Sequence, residues 1–147
     1  MKRKIKSGLS MMADEETKDT IDKKNEFKGA YLGTVVEGRW WKRYMKDGFF
    51  MRGAGLGKVE DDGFYFRRYM TKKPLFISYK SIVGTGFGDW HGGKWAVGRL
   101  ILKIEWKKDE KEDKKLCSGF LFEDDEITRK IREEIEMKMT KMKITNG

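Results

Sequence analysis

The most constraining feature of this sequence is a change of hydrophobic period near residue 124. From Tyr31 to Phe122 the apolar residues come in short runs rich in β-branched and aromatic side chains, separated by Gly, Pro and Asp-Gly signals. Such runs read as strands joined by tight turns. Beyond Asp124 the spacing becomes four, four, four and three, through Ile127, Ile131, Ile135, Met139 and Met142. That stripe is one face of a helix. Asp124, Asp125 and Glu126 stand where an N-cap and the positive end of the helix dipole favour acids. Glu126–Lys130 and Glu134–Lys138 add favourable i,i+4 pairs. The spacing predicts a helix over about 125–141. Five apolar positions are too few for sustained heptads, so the stripe should cover a β-core. The methionines at its end are softer and could instead meet a partner. The fold class is therefore mainly β with one C-terminal helix: a small sandwich or barrel of about seven strands, its open end capped by the helix.

Ahead of the first strand, residues 1–28 read as a flexible charged extension. Between Met12 and Phe27 the only larger apolar residue is Ile21, so no face offsets the entropy of ordering. Residues 29–143 form the expected domain, and 144–147 a short tail. Within the domain, Tyr31–Val36, Phe49–Val59, Phe64–Tyr69, Leu75–Ser78, Ile82–Val83, Trp95–Val97 with Leu100–Trp106, and Leu116–Phe122 are the strand candidates. In Leu100–Trp106, Leu100, Leu102, Ile104 and Trp106 alternate with Ile101, Lys103 and Glu105. Asp47-Gly48 and Asp61-Asp62-Gly63 mark turns. Glycine-rich Gly84–Gly93 is expected to be a flexible loop, and Lys107–Lys115 a solvated hairpin tip.

Charge narrows the search for a site. The formal net charge is +9, and residues 29–80 hold 11 basic side chains against 5 acidic ones. A patch of that sign attracts phosphate, whether from nucleic acid or from anionic lipid headgroups. The densest part is Arg39-Trp40-Trp41-Lys42-Arg43-Tyr44-Met45-Lys46, with four bases, three aromatics and no acid. Arg39, Trp41, Lys42, Arg43 and Lys46 are the first candidate contacts for an anionic partner. Arg67, Arg68, Lys72 and Lys73 either extend that patch or are simply solvated. Large aromatics are usually buried, so Trp40 is expected in core or rim packing, while Trp41 could lie on either side.

Other chemistry finds little support. One cysteine, Cys117, and one histidine, His91, allow neither an intramolecular disulfide nor a Cys/His zinc site. No metal and no cofactor are implied. Gly53-Ala54-Gly55-Leu56-Gly57-Lys58 has the glycines of a phosphate-cradling loop but lacks its spacing and the following helix. Glycines at period two in a strand more commonly mark a bend or close backbone approach. His91 beside Asp89 has the elements of a general base but no accompanying nucleophile motif, so no enzyme is expected. No apolar run approaches the roughly 18 residues of a membrane span. The chain is expected to be cytoplasmic, at most peripheral to a membrane.

Tyr31-Leu32-Gly33-Thr34, Gly38, Trp40, Arg43, Gly48, Arg52-Gly53 and Val59 carry a resemblance, continued by Gly63, Leu75-Phe76-Ile77, Gly93-Lys94, Trp106 and Gly119-Phe120. In these residues, over roughly 30–123, the chain resembles a bacterial pleckstrin-homology-like (PH-like) family found mostly in membrane-anchored proteins. The resemblance implies a PH-like β-sandwich with its terminal helix and a role as a non-catalytic interaction module. It also implies that the connection after the first strand, here residues 39–46, faces a partner. Arg39 and Lys42 stand where that family often has acids. The expected partner is an acidic protein or an anionic lipid surface. Single-stranded nucleic acid, bound by stacking and phosphate contacts, is the alternative, and a structural subunit of a larger assembly is a further one.

Overall fold

The computed structural model describes residues 26–49, 51–108 and 114–146. The expected extension at residues 1–25 and most of the charged tip at 107–115 lie outside them.

Among the described residues, ten strands and one α-helix follow in order: β1 (Glu26–Val36), β2 (Arg39–Arg43), β3 (Gly53–Val59), β4 (Gly63–Arg68), β5 (Leu75–Ser78), β6 (Ile82–Gly88), β7 (Trp90–His91), β8 (Lys94–Trp95), β9 (Ile101–Trp106), β10 (Leu116–Phe122) and α1 (Asp125–Asn146). Eight strands form one antiparallel sheet in the order β5-β4-β3-β1-β10-β9-β6, with β2 paired to β1 beside this path. β7 and β8 make a separate hairpin. The sheet does not close: β5 and β6 are its two edges, and a 3-10 turn, Tyr79–Ser81, carries the chain from one to the other. The architecture is the expected helix-capped PH-like sandwich, with an open sheet in place of a barrel.

The core follows the alternation of the strands. Tyr31, Phe64, Phe66, Leu102, Ile104, Phe120 and Phe122 point inward, while Lys103 and Glu105 lie on the other face of β9. The rings of Phe64 and Phe66 lie 5.0 and 5.3 Å from that of Phe120. Ile131, Ile135 and Met139 seal the open end, with Ile127 and Met142 packed at its margin, so the predicted stripe is the cap. Asp124 is the N-cap, its Oδ1 accepting the Ile127 amide at 2.8 Å. The helix runs past the predicted end at 141 because no Gly or Pro intervenes before Gly147.

Two local expectations need correction. β1 begins at Glu26, inside the expected extension, because Glu26, Phe27 and Lys28 pair with Lys58, Gly57 and Leu56 of β3. Phe27 also packs against the core, with the Lys130 ammonium 5.9 Å from its ring centre. Gly84–Gly88 is strand, not loop: its backbone pairs with β9 from Glu105 to Ile101. Its two larger side chains hold α1, since Arg132 donates from Nε to Thr85 at 3.0 Å and stacks its guanidinium over Phe87 at 5.0 Å. Gly53–Gly57 is strand as expected, paired to β1 on one side and β4 on the other. Its amides belong to a sheet and do not form a phosphate cradle.

The turn from β1 to β2 is strained. Glu37 and Gly38 both have positive φ, 54° and 70°, in a two-residue connection between the paired Val36 and Arg39. That is the geometry Asn-Gly fits best, and glutamate is strained there. Glu37→Asn should raise the unfolding free energy by about 1 kcal/mol, read as an upward shift of the urea midpoint with an unchanged slope.

Candidate functional site

The basic aromatic stretch is a strand with an interruption built into it. β2 pairs with β1 at Val36↔Arg39 and again at Val35↔Arg43, so Trp40, Trp41 and Lys42 have no partners on β1. A bulge of this kind throws side chains out of the sheet. Arg39, Trp40, Trp41 and Lys42 are accordingly all exposed, Trp40 by 51% and Trp41 by 66%. The burial expected for Trp40 is thus overturned. Arg43, at the restored register, is half-buried beside Gly33 and Arg52.

The connection from β2 to β3 is tied down from inside. Phe49 is buried against Tyr31 and Trp106, with ring centres at 6.1 and 5.1 Å, and Tyr44 packs on it from outside at 5.8 Å. The Tyr44 hydroxyl donates to Asp47 at 2.7 Å, and Lys108 approaches the same carboxylate at 3.5 Å. The Tyr44 hydrogen bond, followed by the attraction of Lys108 and Lys46, holds the Asp47 carboxyl below its usual range. This anchoring places Lys46 beside Lys42. Together with Lys108, Lys114 and Tyr44 they surround a hollow of about 490 Å³ whose apolar floor is Val36 and Leu116. Among the described residues, no carboxylate pairs with Lys42, Lys46 or Lys114. Lys108 and Lys114 were not among the sequence candidates, because they join the site only through the β9–β10 connection.

The remaining basic candidates do not gather here. Arg68 is only 6% exposed, donates to the Met51 carbonyl and lies 6.0 Å from the Tyr31 ring centre, so it is a framework residue. Its neighbour Arg67 points outward into a different hollow, lined also by Lys58 and by Glu26, Glu60 and Asp62. Lys72 and Lys73 are exposed in the β4–β5 connection and do not line the lysine hollow.

Beside β2 stands a second element: Trp90–His91, within the expected loop, pairs with Lys94–Trp95, which overlaps the strand expected from Trp95. In the β7–β8 hairpin, Trp90 pairs with Trp95 and His91 with Lys94. Gly92 and Gly93 supply the positive φ values, 56° and 90°, of its two-residue turn. The signal was present, since Trp-His-Gly-Gly-Lys-Trp is a Gly-Gly turn between matching tryptophans. Two side chains clamp the hairpin to β1, where the ladder is irregular between Tyr31 and Gly33. Arg52 donates from Nε to the Leu32 carbonyl and from its terminal nitrogen to the Gly92 carbonyl, both at 2.6 Å. His91 donates from Nε2 to the Gly33 carbonyl at 2.9 Å; a carbonyl only accepts, so the proton is on Nε2. The imidazole is 2% exposed and stacked against Gly119, where an added Cβ would lie 2.4 Å from its Cδ2. Burial, with Lys103, Arg52 and Arg43 nearby, pushes its pKa down to about 4. His91 is a neutral brace for the hairpin, and its hydrogen bond is to Gly33.

Another hollow, of about 770 Å³, lies elsewhere, between α1 and the β3–β4 turn. Its rim is acidic, with Glu60, Asp61, Glu133, Glu134 and Glu136, and Lys138 bridges to Asp61 at 2.6 Å. It does not suit an anion. Among the described residues, no cluster of His, Cys, Asp and Glu could hold a metal ion, and no helix is long and apolar enough to cross a membrane.

An open antiparallel sheet capped by one C-terminal helix is the architecture of a PH-like module. PH-like domains are interaction modules and are generally non-catalytic. The sequence model of one such family, described as bacterial PH domain-like, matches residues 10–136, and the chain belongs to that family. A comparison with curated proteins finds no match.

Proposed function

We propose that this protein is a non-catalytic interaction module that docks on an anionic membrane surface through β2 and the lysine hollow beside it. The observation that carries the reading is the grouping of Lys42, Lys46, Lys108 and Lys114 around one hollow, where, among the described residues, only Lys108 is bridged to a carboxylate, that of Asp47. Arg39 and the exposed Trp41 stand on the adjoining bulge. Lysines near an anionic leaflet contribute about 1 kcal/mol each, and the attraction is screened by salt. Arg67, Lys72 and Lys73 are assigned no role in this contact.

The test is co-sedimentation with phosphatidylcholine vesicles with and without phosphatidylglycerol. Binding is expected only to the anionic vesicles, falling as salt is raised. Lys42→Ala with Lys46→Ala should weaken it by about ten- to thirty-fold, whereas Lys72→Ala with Lys73→Ala should leave it unchanged. Equal retention on neutral vesicles would refute the reading. Preferential binding to oligodeoxythymidylate, with a steep salt dependence shared by DNA and RNA, would transfer the surface to single-stranded nucleic acid.

A further inference from the structure

Four of the five tryptophans stand in one row on the surface. Ring centres are 6.0 Å apart for Trp41 and Trp40, 6.2 Å for Trp40 and Trp90, and 6.1 Å for Trp90 and Trp95. The row crosses from the β2 bulge to the β7–β8 hairpin, and its outer members are the most open, with Trp95 69% exposed. Beyond it projects Val97, 88% exposed, in a turn closed by hydrogen bonds from Ala96 to the Asp89 carbonyl at 2.8 Å and from Arg99 to the Ala96 carbonyl at 3.0 Å. Among the described residues, Trp106 is the tryptophan whose indole N–H is hydrogen-bonded, donating to Ser118 at 2.9 Å. The row is rigid as well as exposed, because Arg52 and His91 fix the hairpin to β1.

A fixed, protruding ridge of large apolar rings is costly in water and marks a contact surface. Its chemistry selects the contact. Indole has an apolar body and a polar edge, the combination that concentrates tryptophan at the headgroup level of a bilayer. Arg39 and Lys42 on β2 and Lys94 on β8 are exposed along the row, placed to meet phosphates once the rings are immersed. Trp40 and Trp90 border a hollow of about 320 Å³, whereas Trp41 and Trp95 stand outside it and are the rings a flat surface meets first.

We infer that Trp41, Trp40, Trp90 and Trp95, with Val97 at the tip, form a wedge that enters the interfacial region of an anionic bilayer, fixing the domain edge-on to the membrane. This rests on the docking reading above and adds to it the depth and orientation of binding. The experiment uses the full chain with phosphatidylcholine–phosphatidylglycerol vesicles, with and without bromine on the acyl chains. Tryptophan emission should shift to the blue on binding, and the brominated lipids should quench it. Trp95→Ala and Trp41→Ala should each weaken partitioning by about tenfold, with unchanged melting temperature since both rings are exposed. Salt-sensitive sedimentation with unshifted, unquenched emission and no effect of Trp95→Ala would overturn the wedge while leaving the docking reading in place. Absence of sedimentation on anionic vesicles would overturn both.

Discussion

Thr34→Val is expected to lower the unfolding free energy by about 2–4 kcal/mol although it preserves shape and burial. Thr34 is the middle link of a buried hydrogen-bond chain. Its Oγ1 lies 2.5 Å from the Tyr31 hydroxyl and 2.6 Å from Ser118 Oγ. Beyond these, Trp106 Nε1 reaches Ser118 at 2.9 Å and the Tyr31 hydroxyl reaches the Phe49 carbonyl at 2.8 Å. The ends set the direction, since an indole N–H can only donate and a carbonyl can only accept. Protons therefore point from Trp106 to Ser118, Thr34, Tyr31 and finally Phe49. Valine leaves the Ser118 hydroxyl without an acceptor and the Tyr31 oxygen without a donor, both in the core. Thr34→Ser keeps the chain and loses one methyl, at a cost of roughly 1 kcal/mol. Urea denaturation of the two variants separates hydroxyl from methyl, and a valine variant as stable as the serine one would deny the chain its role. The chain ends on Phe49, which anchors the connection carrying Tyr44 and Lys46, so the same substitution should loosen the lysine hollow.

Much of the fold was legible where one physical signal acted alone. The stripe from Ile127 to Met142, the Asp124 cap and the alternation of β9 each follow from periodicity, and each is found in the structure. The misreadings share a cause: at those positions a neighbour distant in sequence decides the outcome. Glycines between Gly84 and Gly88 suggest a loop until β9 pairs with them and Arg132 reaches Thr85 and Phe87. Trp40 would be buried in a regular strand, and only the slip in register against β1 turns it outward. Arg68 carries the same surface signal as Arg67, yet strand alternation places it inward over Tyr31. The candidate site was legible in part, because Arg39, Trp41, Lys42 and Lys46 follow from local composition. Lys108, Lys114 and the second pair of tryptophans are brought there by topology.

The stability of the protein should fall by roughly 3 kcal/mol as the pH drops from 6.5 to 4, and His91 should account for it. In the unfolded chain an imidazole titrates near 6.5, whereas in the folded protein burial and three cationic neighbours push it down to about 4. Above pH 6.5 both states hold a neutral ring and stability is at its full value. Between the two values the unfolded state binds the proton first, so unfolding gains with each step down. Below about 4 both are protonated and the loss levels off. The window is largely that of His91, the sole histidine, because among the described residues the displaced carboxyls, Asp47 and Asp61, are lowered from 3.8 and lose most of their contribution below pH 4. His91→Gln places an amide nitrogen near the position of Nε2 without a titrating group. It should cost some stability at pH 7 and flatten the slope between 6.5 and 4.5, both measured by urea denaturation across that range. A histidine-free variant that keeps the full slope would place the titrating group elsewhere. In the folded protein the ring stays neutral until about pH 4, and the added proton then goes to Nδ1 while Nε2–H keeps its bond to Gly33, so the near-ultraviolet circular dichroism of the folded state should hold between pH 6.5 and 4.5 while the urea midpoint falls.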